Sequence, residues 1–324
     1  MKDIDYETQG DVDAAIDNHP TIAILLCTMQ GQSYLPEQLE SILWQTYKFW
    51  TIWASDDGSS DGTHSILADY QRRLGEGRLS IHSGPAEGFV ANFLSLTCNA
   101  KISANYYAFA DQDDVWEQDK LLRAVQWLGT IPVHTPALYC SRTCNVDVNN
   151  QCIGYSRLFL KRPSFANALV QSIGGGNTMV FNDAARNLLH AAGADVNVVA
   201  HDWWAYLVVS GHGGQVFYDA RPNVRYRQHG ANLVGANNSF ADSVARAKLF
   251  LSGRFKIWND TNIKALEGIR QQLTPENQQK LDQFSRARRS SFFPRLIILM
   301  RSGVYRQTLL GNLGLVAAAI FNKI

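Results

Sequence analysis

Acidic side chains are absent from everything after Asp282, while the same stretch carries Arg286, Arg288, Arg289, Arg295, Arg301, Arg306 and Lys323. The whole chain has a net charge of only +1 over 324 residues, so bulk charge indicates no nucleic acid partner. The one-sided tail points instead to an anionic surface. No two of the five cysteines, Cys27, Cys98, Cys140, Cys144 and Cys152, have CxxC spacing, and their number is odd. A disulfide framework or structural zinc site is therefore not expected, and most should be small buried residues in a reducing compartment. Residues 1–18 are crowded with charge and have no apolar centre, so they read as a loose acidic leader rather than a secretory signal. No charge-free apolar run reaches the roughly 18–20 residues of a membrane span; the nearest is Gln307 to Asn322. No GxxxxGK[ST] pattern occurs, which removes a P-loop.

What is present is a 46% apolar chain with strands and helices in alternation. Thr21 to Thr28 is a continuous apolar run, as expected for a strand buried on both faces. Leu35, Leu39, Ile42 and Leu43 follow at helical spacing with Pro36 at the start. Phe49 to Ser55, Leu79 to His82 and Tyr106 to Ala110 are further strands. Between them Asp61 is placed to cap a helix carrying Ile66, Leu67, Tyr70 and Leu74. The alternation implies βαβ units in an α/β fold, with a mostly parallel central sheet flanked by helices. From about Phe240 the pattern turns helical, and the loop Gly235 to Ser239 marks a boundary. The expected organisation is a leader over 1–18, a main domain over 19–238 and a helical extension over 239–324.

Ligands of such sheets sit beyond the carboxyl ends of the strands, and three polar clusters fall there. In Asp111-Gln112-Asp113-Asp114, carboxylates crowd after a buried strand. They repel unless a cation sits among them, and a hard divalent ion that also binds phosphates suits them. A solvated helix start is the plain alternative. Asp56-Asp57-Gly58 can accept from a ribose hydroxyl or a base N–H, or be an ordinary turn. In His201-Asp202-Trp203-Trp204, a poorly solvated carboxylate suits a general base, unless Asp202 is a helix cap beside core tryptophans. Arg225 to Gly230 offers phosphate-competent side chains near a strand end after Val216 to Tyr218, or a basic edge strand. Gly174-Gly175-Gly176-Asn177 lets backbone approach a ligand, or is a flexible turn.

Taken together, Ile22 to Thr28, Ser55 to Thr63, Phe109 to Trp116 and Tyr226 to Gly230 resemble the signatures of family 2 glycosyltransferases of the GT-A fold, especially bacterial rhamnosyltransferase-like members. The likeness runs from about Thr21 to Gly235. It implies that Thr28 and Asp57 contact the donor's base and ribose, with Asp56 close by. Asp111 and Asp113 match the DxD element, Asp113 as ligand of Mn²⁺ or Mg²⁺ and Asp111 nearer the ribose. Asp202 matches the catalytic base, and His229 a position that closes over the diphosphate or metal. Arg227 joins the donor side. Gly176, Asn177 and Trp203 fall on the acceptor side. Met29-Gln30-Gly31 replaces the family's frequent Tyr-Asn-Gly, so its base-stacking tyrosine is absent, and Glu87 stands where Asn is usual.

The implied activity is inverting transfer of a sugar, such as L-rhamnose from dTDP-rhamnose, to a glycan or lipid-linked acceptor for cell-surface polysaccharide. The implied location is the cytoplasm, peripheral on the inner face of the plasma membrane. The apolar, arginine-flanked stretch Phe292 to Met300 would lie on an anionic membrane, or serve as a helical cap or homodimer surface. Competing activities are a nucleotidyltransferase, disfavoured because Met29 to Tyr34 has no Lys or Arg, a glycoside hydrolase with paired carboxylates, and a non-catalytic carbohydrate-binding protein.

Overall fold

The computed structural model describes residues 19–229 and 253–324. The expected boundary at 238/239 and the leader lie outside them. Along the chain run β1 (Ile22–Thr28), α1 (Leu35–Leu43), β2 (Trp50–Asp56), α2 (Thr63–Leu74), β3 (Leu79–Ser83), α3 (Phe89–Thr97), β4 (Tyr106–Asp111) and β5 (Val115–Trp116). Then come α4 (Lys120–Leu128), β6 (Ala137–Val146), β7 (Cys152–Tyr155), α5 (Phe165–Ala168), β8 (Val180–Asn182), α6 (Asp183–Ala192), α7 (His201–Gly211) and β9 (Gln215–Arg227). Four helices end the chain: α8 (Arg254–Gly268), α9 (Pro275–Arg289), α10 (Phe292–Ser302) and α11 (Leu309–Ile320).

The strands form one sheet in the order β3-β2-β1-β4-β8-β6-β9-β5, with β7 paired to β6. From β3 to β4 every pairing is parallel. Beyond β4 the sheet is mixed: β8 runs antiparallel to both β4 and β6, and β6 and β9 are parallel. β1 explains its own composition. Ala23, Leu25 and Cys27 face one hydrophobic cluster, and Ile22, Ile24 and Leu26 face the other. Helices α1, α2 and α4 cover the second cluster, while α3 and α5 to α7 cover the first.

The terminal helices share that first cluster: Leu266, Leu281, Phe284 and Leu315 belong to it with Trp204 and Phe181. Asp61 does not occupy the cap position of α2, which is Gly62; its carboxylate instead accepts from Thr63 N at 3.0 Å. Cys27, Cys140 and Cys144 are buried as expected; Cys144 and Cys152 are free thiols with Sγ atoms 2.9 Å apart across the β6–β7 hairpin.

Candidate active site

Parallel pairing sets the site. Thr28 at the end of β1 is in register with Asp56 at the end of β2, and Cys27 with Asp111 at the end of β4. Three functional candidates thus meet at one edge of the sheet because three strands end at one level. Thr28 Oγ1 donates to Asp56 Oδ1 at 2.7 Å. Asp56 also accepts from Ser59 N at 2.8 Å and Ser59 Oγ at 2.6 Å, and lies 3.0 Å from His64 Nε2. Burial pushes the Asp56 carboxyl up, but the bonds from Ser59 and Thr28 outweigh it and hold the group below its ordinary value. Asp57 accepts from Ala86 N at 2.7 Å and Gly88 N at 2.9 Å, so it shapes the loop before α3.

The acidic loop is tied down on three sides. Gln112 makes paired bonds with the Met29 backbone, Oε1 accepting from N and Nε2 donating to O, both at 2.8 Å. A Cβ at Gly31 would sit 2.3 Å from Gln112 Oε1, so a side chain there would push that amide off the Met29 backbone. Asp114 is fully buried and accepts from Asn177 Nδ2 at 2.5 Å. Asp113 stays partly exposed, its Oδ2 2.8 Å from His229 Nε2, and the Tyr34 ring lies 4.9 Å from that imidazole.

Burial, then repulsion from Asp113 and Asp202, pushes the Asp111 carboxyl up to about 8. Burial, then repulsion from Asp113 and Asp111, raises Asp114 well above its ordinary value. Lys120, fully buried at the start of α4, is the nearby counter-charge. Burial lowers its ammonium to about 7 against the pull of Asp114 and Asp111, and Nζ sits 3.7 Å over the Trp116 ring.

Asp202 lies in the first turn of α7, whose cap is Ala200, so it is no helix cap. Its Oδ2 accepts from Gly176 N at 3.0 Å and its Oδ1 from Trp203 N at 2.6 Å. Burial pushes its carboxyl up to about 6 against those bonds. His201 beside it is a packing residue. It stacks on Phe93 at 3.9 Å, and burial lowers its imidazole to about 3, leaving it neutral.

Two sequence expectations change. Trp203 is 7% exposed in the core, and its indole N–H donates to Ala168 O at 2.7 Å, so it is not an acceptor-side wall. Asn177 is equally enclosed and spends its amide on Asp114 rather than on an acceptor. Arg227 is the last residue of β9, so the cluster does lie at a strand end. Its buried guanidinium pairs with Glu37 and donates to Asp113 O at 3.1 Å and Val148 O at 2.8 Å. These bonds tie the acidic loop to α1 and to the turn after β6. Glu37, Tyr34, Gln112 and Lys120 were not singled out from sequence. Lys120 carried one signal, a cation in the first turn of a helix, where the dipole disfavours it.

Residues 23–182, from β1 to β8, match the family model described as Glycosyl transferase family 2. This domain is a family 2 glycosyltransferase. The transferase chain is 27% identical over 240 residues to the dTDP-rhamnosyl transferase RfbG of Shigella flexneri, covering 69% of this chain and 78% of that protein. It is 30% identical over 112 residues to TuaG of Bacillus subtilis (strain 168), a glycosyltransferase named for teichuronic acid biosynthesis. That match covers 34% of this chain and 42% of TuaG. Among solved structures, S. aureus TarS 1-349 superposes with a TM-score of 0.52 at 14% identity, over 88% of this chain and 92% of that one. Its complex with UDP-GlcNAc gives 0.51 at 13% identity, over 88% and 93%. The transferase therefore has the GT-A fold expected from its sequence. Asp202 and His229 lie beyond the family-matched stretch.

Proposed function

We propose that the chain is an inverting glycosyltransferase that moves a sugar from a nucleoside-diphosphate sugar to a hydroxyl of a glycan or lipid-linked acceptor in cell-surface polysaccharide synthesis. The supporting observation is the pairing of an acidic loop at the strand ends with Asp202, a carboxylate whose proton affinity is raised toward neutrality. Asp202 takes the proton of the acceptor hydroxyl as its oxygen attacks the anomeric carbon. The bond from that carbon to the diphosphate breaks on the opposite face, and configuration inverts. Thr28, Asp56 and Asp57 form the nucleotide end, with Asp111 next to the ribose. The dTDP-rhamnosyl transferase relative supports L-rhamnose from dTDP-rhamnose as the donated sugar.

Crowded, strongly perturbed carboxylates fit a bound cation, and Asp113 with His229 would hold Mn²⁺ or Mg²⁺. Among the described residues no three His, Cys, Asp or Glu side chains form a ready ligand set, so phosphate and water oxygens would complete the shell. Such an ion supplies charge neutralisation at the leaving diphosphate. Among the described residues no helix is long and apolar enough to cross a membrane. A cytoplasmic location, peripheral on the inner face of the plasma membrane, belongs to the same reading.

The test is a screen of nucleotide sugars for Mn²⁺- or Mg²⁺-dependent release of nucleoside diphosphate, with dTDP-rhamnose expected to lead. Nucleotide-independent glycan cleavage, or release of pyrophosphate from a nucleoside triphosphate and a sugar phosphate, would replace this reading with a hydrolase or a nucleotidyltransferase.

A further inference from the structure

Helices α10 and α11 are apolar on their exposed sides as well as on their buried ones. On α10, Arg295, Leu299 and Ser302 face inward, while Phe293, Ile297 and Met300 form a second stripe at helical spacing that faces solvent. Phe293 is 75% exposed and Met300 81%. On α11, Leu315, Ala318 and Ala319 face the core, while Leu309, Leu313, Val316 and Ile320 form the outward stripe. No charged residue occurs between Leu309 and Ile320, and Leu309 is 77% exposed. Helices apolar all round are normally covered, and contiguous apolar patches on a surface mark interaction sites.

The two helices are fixed to each other. The buried Arg295 guanidinium donates to Ala319 O at the end of α11 at 2.9 Å and to Ser290 O before α10 at 2.8 Å. The stripes are therefore presented by a braced pair rather than by loose ends. The segment that carries them has charge of one sign: Arg286, Arg289 and Arg301 are exposed and no acidic residue follows Asp282, although Asp260 and Glu267 of α8 share a cavity with Arg289.

We propose that the α10–α11 pair is an in-plane docking surface for an anionic lipid bilayer, with the two apolar stripes entering the headgroup boundary and the arginines meeting lipid phosphates. The pair lies on the membrane and does not cross it, because α11 at 12 residues is about 18 Å long and the hydrocarbon core is about 30 Å thick. Charge selects a bilayer over a second copy of the chain. A self-complementary patch would bring like-charged arginines together, whereas each basic side chain near an anionic surface strengthens binding on the order of fivefold. The inference extends the lipid-linked-acceptor reading by naming the surface that brings the enzyme to such an acceptor.

The test is cosedimentation of the full chain with vesicles of phosphatidylglycerol and phosphatidylcholine, or of phosphatidylcholine alone, without donor or metal. Failure here would therefore leave the catalytic reading standing. The wild type is expected to pellet with the anionic vesicles and to be released by salt. The double variants Phe293→Glu/Met300→Glu and Leu309→Glu/Leu313→Glu should bind at least tenfold more weakly and melt like the wild type, since the replaced side chains are exposed. Equal binding by the variants, or none by the wild type, overturns the proposal. A concentration-dependent dimer in light scattering that the substitutions dissolve, without vesicle binding, overturns it in favour of a second copy.

Discussion

Asp202 works as a base only while ionised, and burial favours its neutral form. The working limb of the pH profile therefore shifts upward from the ordinary carboxylate range to about 6. Below that pH, kcat/KM should fall about tenfold per unit. Asp202→Asn should abolish that limb and cut turnover by about 10²- to 10⁴-fold, while nucleotide still raises the melting temperature. A wild-type limb below pH 5, or near-normal turnover of the variant, would remove Asp202 from the role. Gly176 is what aims this carboxylate. A Cβ at 176 would lie 2.4 Å from His201 Nε2, and the ring cannot retreat because Phe93 stacks on it. Gly176→Ala is thus expected to cost about 1–3 kcal/mol in urea unfolding and to lower kcat more than donor affinity. Unchanged stability together with unchanged kcat would show that the turn before β8 gives way.

At the scale of elements, β9 joins two halves of the site that are far apart in sequence. Arg227 on it reaches Glu37 of α1, the Asp113 carbonyl and the turn after β6. Hydrogen bonds to a charged group contribute about 1.5–3 kcal/mol each, and Glu37 is half exposed, which discounts its share. Arg227→Met should cost roughly 2–4 kcal/mol in denaturant unfolding. Arg227→Lys should not restore it, because one ammonium cannot span the same fork of acceptors. Full rescue by lysine would reduce the clamp to a simple point charge.

The same element shows where sequence reading stops. The parallel strands β1, β2 and β4 were legible because burial on both faces writes a continuous apolar run. β9 was legible only over Val216 to Tyr218, because its remainder holds Asp219, Pro222 and three arginines, of which Arg227 is buried against a partner 190 positions away. The acidic loop and the register of Thr28, Asp56 and Asp111 followed from strand ends. That Asn177 turns inward did not, since local sequence does not say which side of a turn faces the core; for Trp203 the core was one of two open readings.

Across the whole molecule, the terminal helices share one hydrophobic cluster with the transferase domain. Phe284 of α9 is fully buried in the cluster that also holds Trp203 and Trp204 behind the candidate base. Removing such a ring typically costs about 3–5 kcal/mol. If the cluster is one cooperative unit, Phe284→Ala lowers a single melting transition on the order of 5–10 °C, seen alike by indole fluorescence and by helical circular dichroism. It also weakens nucleotide-induced stabilisation no more than the lost stability requires, since Phe284 lies on α9, which carries none of the candidate donor residues. Were the extension an independent domain, the circular dichroism would show an early helical loss while the indole signal kept the wild-type midpoint. The shared core also decides how the lipid surface must be probed. Deleting residues 285–324 would take Ala287, Leu299 and Leu315 out of that cluster along with the exposed stripes. Lost vesicle binding after such a deletion would report unfolding as readily as docking, whereas glutamates at the exposed positions separate the two.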